Sequence, residues 1–162
     1  MFITIHAAAS TIIGKQVGNP VLAFILAFIF HFILDLIPHG DEHLGKKFMG
    51  FKIKERESFR ALALYGSMDS VVLVFFLLFL FKNFDWANQD QIIWAIIGGI
   101  IPDFFIAFYK LTNFKPIKWF VNLHGKNHSF LVNKLKADLP LKYGMILQLF
   151  LISILIWLIY II

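Results

Sequence analysis

The residues best suited to chemistry lie in the stretch 31–43, which reads His-Phe-Ile-Leu-Asp-Leu-Ile-Pro-His-Gly-Asp-Glu-His. It ends an apolar run that begins at Val21, so ionisable groups sit on and just beyond a segment with the hydropathy of a membrane span. Such groups are costly in hydrocarbon and indicate a functional site. His31 and Asp35 are four residues apart and share one face of a helix, which Pro38 ends. We interpret the stretch as one part of a metal-binding site.

Other His and Asp residues in or beside apolar segments can complete this site. Histidine nitrogen and carboxylate oxygen suit Zn²⁺, Mn²⁺ or Fe²⁺. The chain has no cysteine, which excludes disulfides, Cys-ligated metals and thiol catalysis. We therefore predict that the site holds one or two divalent transition metal ions, with zinc as the first choice of metal. Asp69 is predicted to act as general base or as bridging ligand. The predicted metal ligands are His6, His31, Asp35, His39, Asp103, His124 and His128.

The composition indicates which elements must hold these residues. Hydrophobic residues make up 59% of the 162-residue chain, charged residues only 15%, and the mean hydropathy is +0.77. A soluble domain is about half apolar and about a quarter charged. We therefore predict a single all-α integral-membrane domain over residues 1–162. Its apolar segments predict a bundle of about five membrane-spanning or membrane-embedded helices, at 2–17, 20–37, 61–82, 91–111 and 141–162.

The first predicted helix is short for a span. We expect it to pack inside the bundle as the first arm of a hairpin, which turns at Gly18-Asn19-Pro20.

The distribution of Lys and Arg residues predicts the orientation of the chain in the membrane. Thirteen of the fifteen Lys and Arg residues lie in two regions, 38–60 and 110–142. The positive-inside rule places both regions in the cytoplasm, which predicts a multi-pass protein of the inner (cell) membrane with a cytoplasmic N-terminus. Topology and contact with anionic lipid account for these charges, so the expected partner is the lipid bilayer and no nucleic-acid binding is predicted.

This topology gives four polar residues a common depth. His6, His31, Asp69 and Asp103 each lie about 18–20 Å from the outer face, counted along their helices. Because the helices were placed by hydropathy alone, the agreement favours one polar layer with a site that faces the cytoplasm. His31, Asp35 and His39 are predicted to form a ladder down one wall of it, with entrance residues Asp41, Glu42 and His43.

Four motifs resemble the YdjM-like family of membrane-bound metal-dependent hydrolases. They are His6-Ala-Ala-Ala-Ser, the segment 31–39, the run Gly-Gly-Ile-Ile-Pro-Asp at 98–103, and the pair His124-x3-His128. The resemblance spans residues 6–128 and implies a metal-dependent hydrolase. The chain departs from the family pattern where Pro102-Asp103 is followed by two phenylalanines instead of a second carboxylate, which leaves the number of metals open.

The first functional hypothesis is therefore a hydrolase in which metal-activated water attacks a phosphoester of a lipid or lipid-linked substrate. The alternatives are a metal or proton transporter, a b-haem protein with His6 and His31 as axial ligands, and a non-catalytic protein whose polar layer specifies helix packing. The sequence contains no P-loop, dinucleotide-binding motif or nucleophile elbow, which disfavours nucleotide binding and serine hydrolysis. The substrate and the oligomeric state stay open.

Overall fold

A computed structural model describes residues 1–40, 56–83, 89–135 and 139–162. All regular elements in these ranges are helices, as predicted. In chain order they are α1 (Ile3–Gln16), α2 (Pro20–Leu34), α3 (Arg56–Asn83), α4 (Gln89–Thr112), a 3-10 turn (Lys115–Ile117), α5 (Lys118–His128), α6 (Phe130–Leu135) and α7 (Leu141–Ile161). Most of the predicted basic loop 38–60, with Asp41, Glu42 and His43, lies outside the described residues.

Three helical segments are long and apolar enough to cross a membrane, namely Gly66–Asn83, Gln89–Thr112 and Lys142–Ile161. Helix α2 is also apolar and has 15 residues. It is about 22 Å long, shorter than a hydrocarbon core of ~30 Å. Large apolar side chains are exposed on all four helices, as a lipid-facing surface requires. The five predicted helices thus correspond to three helices of span length, to the shorter α2 and to α1. The orientation of the chain and the choice of membrane stay predictions.

Helix α1 occupies the centre of the bundle and contacts α2, α3, α4 and α7. Every residue from Thr4 to Thr11 is buried, and the small side chains within this run allow its neighbours to approach closely. The prediction that the first helix packs inside the bundle is confirmed. The predicted turn is also confirmed, because Asn19 Oδ1 accepts a hydrogen bond from the N–H of Leu22 at 3.0 Å and Pro20 begins α2.

Adjacent glycines hold α4 against two other helices. A methyl group at Gly98 would overlap the carbonyl of Phe24 in α2, and one at Gly99 would overlap the hydroxyl of Ser10 in α1. Small residues at helix interfaces are typical of membrane bundles, where close backbone approach replaces the hydrophobic driving force. The glycine pair therefore allows the middle of α4 to pack closely against α1 and against α2, the helix that carries the first candidate ligands.

The end of α2 differs from the prediction. The helix ends at Leu34, three residues before the predicted end at 37. The N–H of Asp35 still donates to the carbonyl of His31 at 3.0 Å, so these two residues share one face as predicted. The next two backbone bonds reach back only three residues, which tightens the last turn. His39 is therefore placed by the turn after the helix rather than by the predicted helical ladder.

Candidate metal centre

Three ligand-type atoms meet at the end of α2. Nε2 of His31 lies 2.9 Å from Nε2 of His124 on α5. Oδ2 of Asp35 lies 3.2 Å from the first nitrogen and 3.0 Å from the second, which closes a triangle. Asp103 on α4 adds Oδ1, at 3.8 Å from His31 Nε2 and 3.7 Å from His124 Nε2. Four side chains from three helices thus converge on one point.

These separations suit a four-ligand metal site. With bonds of ~2.0–2.1 Å, neighbouring ligand atoms around a tetrahedral ion lie ~3.3–3.4 Å apart. The three edges of the triangle are slightly shorter than this and the two edges to Asp103 are slightly longer. Two imidazoles and two carboxylates form a donor set that zinc, manganese and ferrous iron accept. The prediction of His and Asp groups able to hold a metal ion is confirmed, while the identity of the metal stays a prediction.

Hydrogen bonds to backbone carbonyls fix the orientation of two rings. Nδ1 of His31 lies 2.7 Å from the carbonyl oxygen of Gly99, and Nδ1 of His39 lies 2.6 Å from that of Ile37. Since a carbonyl only accepts, each Nδ1 carries a proton and donates it, which leaves Nε2 as the atom of each ring that can bind a metal. This outer hydrogen bond is typical of metal-ligating histidines.

Two carboxylate oxygens of this cluster are left without a hydrogen-bond partner in the described part of the chain. Among the described residues, Oδ2 of Asp35 and Oδ2 of Asp103 are buried and accept no hydrogen bond. A proton on one histidine can bridge only two of the three atoms in the triangle, whereas a cation contacts all of them. Because an unsatisfied buried polar group costs about 1–3 kcal/mol, and a charged one more, a divalent cation explains this cluster better than a neutral hydrogen-bonded network.

Asp35 also belongs to a second ligand group. Together with His39 and His128 it offers three ligand atoms that lie within 4.8 Å of one another. The Nε2 atoms of these two histidines are 3.1 Å apart. His124 and His128 are four residues apart on α5, so this helix supplies one histidine to each group. A carboxylate common to two groups permits a pair of metals a few ångströms apart, which is the arrangement of two-metal hydrolases.

His6 lies beside these groups rather than in either of them. Its Nε2 is 3.2 Å from Oδ1 of Asp35, which is also 3.2 Å from the amino nitrogen of Met1. Its ring stacks on that of His31, with centroids 4.0 Å apart. Face-to-face stacking does not direct a nitrogen of each ring at one iron between them, which disfavours the haem alternative. The predicted ligand role of His6 stays a prediction.

Asp69 of α3 belongs to neither group. Its carboxylate accepts hydrogen bonds from the backbone N–H of Ile3 at 2.6 Å and from the hydroxyl of Thr4 at 2.9 Å. Phe2, the N-cap residue of α1, provides no side-chain cap. Asp69 therefore satisfies N–H groups that the start of α1 leaves unpaired and places negative charge at the positive end of that helix. Its predicted role as a general base stays a prediction.

Two positioning residues carry no motif that sequence analysis identifies. Asn127 donates from its side chain to the carbonyl of Phe32 at 2.8 Å and so ties α5 to α2. Gln148 accepts a hydrogen bond from the N–H of Phe2 at 2.8 Å and so ties α7 to α1. A lone glutamine in an apolar span is a signal that could have revealed the second of these. Asn127 lies in a polar, lysine-rich segment and offers no comparable signal.

Loss of the Asn127 side chain is expected to weaken metal binding. In Asn127→Ala, α5 loses its hydrogen bond to α2 while it still carries His124 and His128, so we expect about a 10–100-fold lower zinc affinity. A titration of the metal-free protein in competition with a chromophoric chelator measures this. Asn122→Ala, at an exposed position on the same helix, is the matched control. Equal affinities in both variants would mean that apolar packing alone positions α5.

Comparisons of the chain with protein-family models, with curated proteins and with solved structures found no match. The resemblance to YdjM-like hydrolases therefore stays a prediction from its motifs. Fold and site together define a class: an all-helical protein with helices of membrane-spanning length and a buried His/Asp cluster that can hold a metal ion.

Proposed function

We propose that this chain is a membrane-embedded metal-dependent hydrolase that acts on a phosphoester of a lipid or lipid-linked substrate. The observation that carries the proposal is the pair of ligand groups that share Asp35. A divalent metal ion, zinc first, supplies Lewis-acid activation of water and of a phosphoryl oxygen when it is bound. The protein's own contribution is to hold such an ion within the bundle, where its charge is weakly screened.

The exposure of the ligands indicates the direction of approach. The side chain of Asp103 is 20% exposed, whereas those of His31 and Asp35 are 0% and 1% exposed. Asp103 therefore marks the side from which water and substrate reach the centre.

Packing on the opposite side of the centre favours hydrolysis over transport. Ala23 and Ala27 of α2 pack against Ala95 of α4, with Ile13 and Val17 around them. This cluster lies between the ligands and the turn that precedes α2. A transporter needs access from both sides of its site, and an apolar cluster at this position supplies no polar path.

The purified chain is expected to contain about one or two divalent metal ions, as the two ligand groups imply. Elemental analysis measures this content. A strong chelator is expected to abolish cleavage of a short-chain lipid phosphoester, tested with dioctanoyl phosphatidic acid and dioctanoyl phosphatidylglycerol, and zinc is expected to restore it. Asp90→Asn, which removes an exposed carboxylate in the first turn of α4, should change neither result.

Two outcomes would contradict the proposal in different ways. Metal content near the predicted value without cleavage of either lipid would contradict the hydrolase and leave the metal centre in place. Absence of metal after purification and after reconstitution would contradict both. Zinc uptake into proteoliposomes would instead favour the transporter.

A further inference from the structure

A second polar site lies between the C-terminal half of α4 and the helices α5 and α6. It is a groove of about 660 Å³ that the metal ligands do not line. Its lining combines two lysines with several neutral hydrogen-bonding side chains. The lysines are Lys110 and Lys126, and the neutral side chains are those of Tyr109, Asn122, Ser129 and Asn133.

The charge in this groove is not balanced. Lys110 is partly buried on a span-length helix, and the exposed Lys126 of α5 lines the same groove. Within the part of the chain that the structure describes, neither ammonium group takes part in an ion pair. Partial removal of an ammonium group from water without a counter-ion is unfavourable. A bound anion would balance the charge of the two lysines. A phosphoryl group has several oxygen acceptors, which match the many hydrogen-bond donors of the groove.

An aromatic side chain of the groove indicates that it opens at the level of lipid head groups. Phe130, which lines the groove, is 54% exposed, and the ammonium group of Lys134 lies 6.0 Å from the centre of its ring. Exposed aromatic rings next to lysines are typical of the membrane–water interface. At this level, a phospholipid is the most abundant source of phosphoryl groups.

We propose that the groove binds the phosphoryl group of an anionic phospholipid, with Lys110 and Lys126 as its cationic contacts. The site adjoins the candidate metal centre, because Lys110 follows Asp103 by two turns of α4, about 10 Å along the helix. A head group held there places its lipid beside the centre. Binding itself does not depend on the proposed hydrolysis.

Native mass spectrometry of the detergent-purified full chain tests the assignment. Dioctanoyl phosphatidylglycerol is titrated into the wild type, into Lys110→Gln/Lys126→Gln and into Lys115→Gln/Lys118→Gln. The last variant removes the same charge from exposed lysines that do not line the groove. We expect at least a tenfold weaker lipid affinity in the groove variant and less than a twofold change in the control. The mass of the bound lipid separates binding from cleavage, so failure of the hydrolase proposal would be seen independently.

Two comparison ligands identify the source of the phosphoryl group. Dioctanoylglycerol, which lacks it, should bind at least tenfold more weakly to the wild type. Inorganic phosphate that binds as tightly as the lipid would overturn the lipid assignment, as would equal losses in both double variants. If the groove variant fails to fold, Lys126→Gln at an exposed position replaces it, with a loss of at least threefold expected and an unchanged affinity contradicting the proposal.

Discussion

Replacement of Asp35 by asparagine is expected to remove nearly all bound metal from the purified protein. Asp35 is the only residue common to both ligand groups found among the described residues, so its loss affects every metal position at once. Asparagine keeps the size of the side chain but removes the charge that a divalent ion requires. We expect the affinity for zinc to fall by more than the ~10–100-fold that loss of an outer-shell partner costs.

Comparison variants make this result specific. Asp103→Asn changes only the first group and should have an intermediate effect, and Asp90→Asn should bind metal as the wild type does. Metal content and zinc affinity are measured by elemental analysis and by chelator competition. Retention of wild-type metal content in Asp35→Asn would overturn the proposed centre.

Thermal unfolding separates the metal centre from a purely structural polar layer. If Asp35 binds metal, Asp35→Asn lowers the melting temperature of the metal-loaded protein much more than that of the metal-free protein, because ligand binding stabilises only the folded state that binds it. If Asp35 serves only as a hydrogen-bond partner of the histidines, the loss is the same with and without metal. This second outcome would favour the non-catalytic alternative.

The spacing of residues along a single helix predicted the parts of the site that lie on a single helix. His31 and Asp35 share a face because they lie one helical turn apart, and this holds although α2 ends earlier than predicted. His124 and His128 are likewise one turn apart on α5. The common depth of His31 and Asp103 followed from counting residues along apolar segments, and the structure brings their side chains within 3.8 Å.

The remaining parts of the site are positioned by contacts between residues far apart in the chain, and a single sequence does not reveal these contacts. Asp69 meets the start of α1, 66 positions away from Ile3, so its capping contact has no local signature. His39 reaches the second group through a turn whose path depends on α7, since a methyl group at Gly144 would overlap the carbonyl of His39. The predicted count of about five membrane-spanning or membrane-embedded helices stays a prediction, because three helices among the described residues have span length. Burial rather than hydropathy explains the short α1, which is enclosed by four helices.

The substitution Gly98→Ala, at the interface between α2 and α4, is the second change for which we expect a large effect. A methyl group there would overlap the backbone carbonyl of Phe24, and no side-chain rotation relieves a clash with backbone. Gly98→Ala must therefore push α2 away from α4 or leave the clash unrelieved, and overpacking of this kind typically costs about 1–3 kcal/mol. We expect a clearly lower melting temperature in detergent.

The same substitution should weaken the metal centre, because α2 carries His31 and Asp35 while α4 carries Asp103. A shift of one helix against the other lengthens the two already long edges to Asp103, which are 3.8 Å and 3.7 Å. Zinc affinity is therefore expected to fall in Gly98→Ala even though the substituted residue is not itself a ligand.

Gly66→Ala is the matched control, since Gly66 lies inside α3, is exposed, and a methyl group there would meet nothing within 4 Å. Relief of the helix penalty of glycine should stabilise this variant by about 0.5–1 kcal/mol, with zinc affinity unchanged. The two substitutions thus make the same chemical change with opposite expected signs. A higher melting temperature and an unchanged zinc affinity in Gly98→Ala would contradict the claim that close packing of α2 against α4 positions the candidate centre.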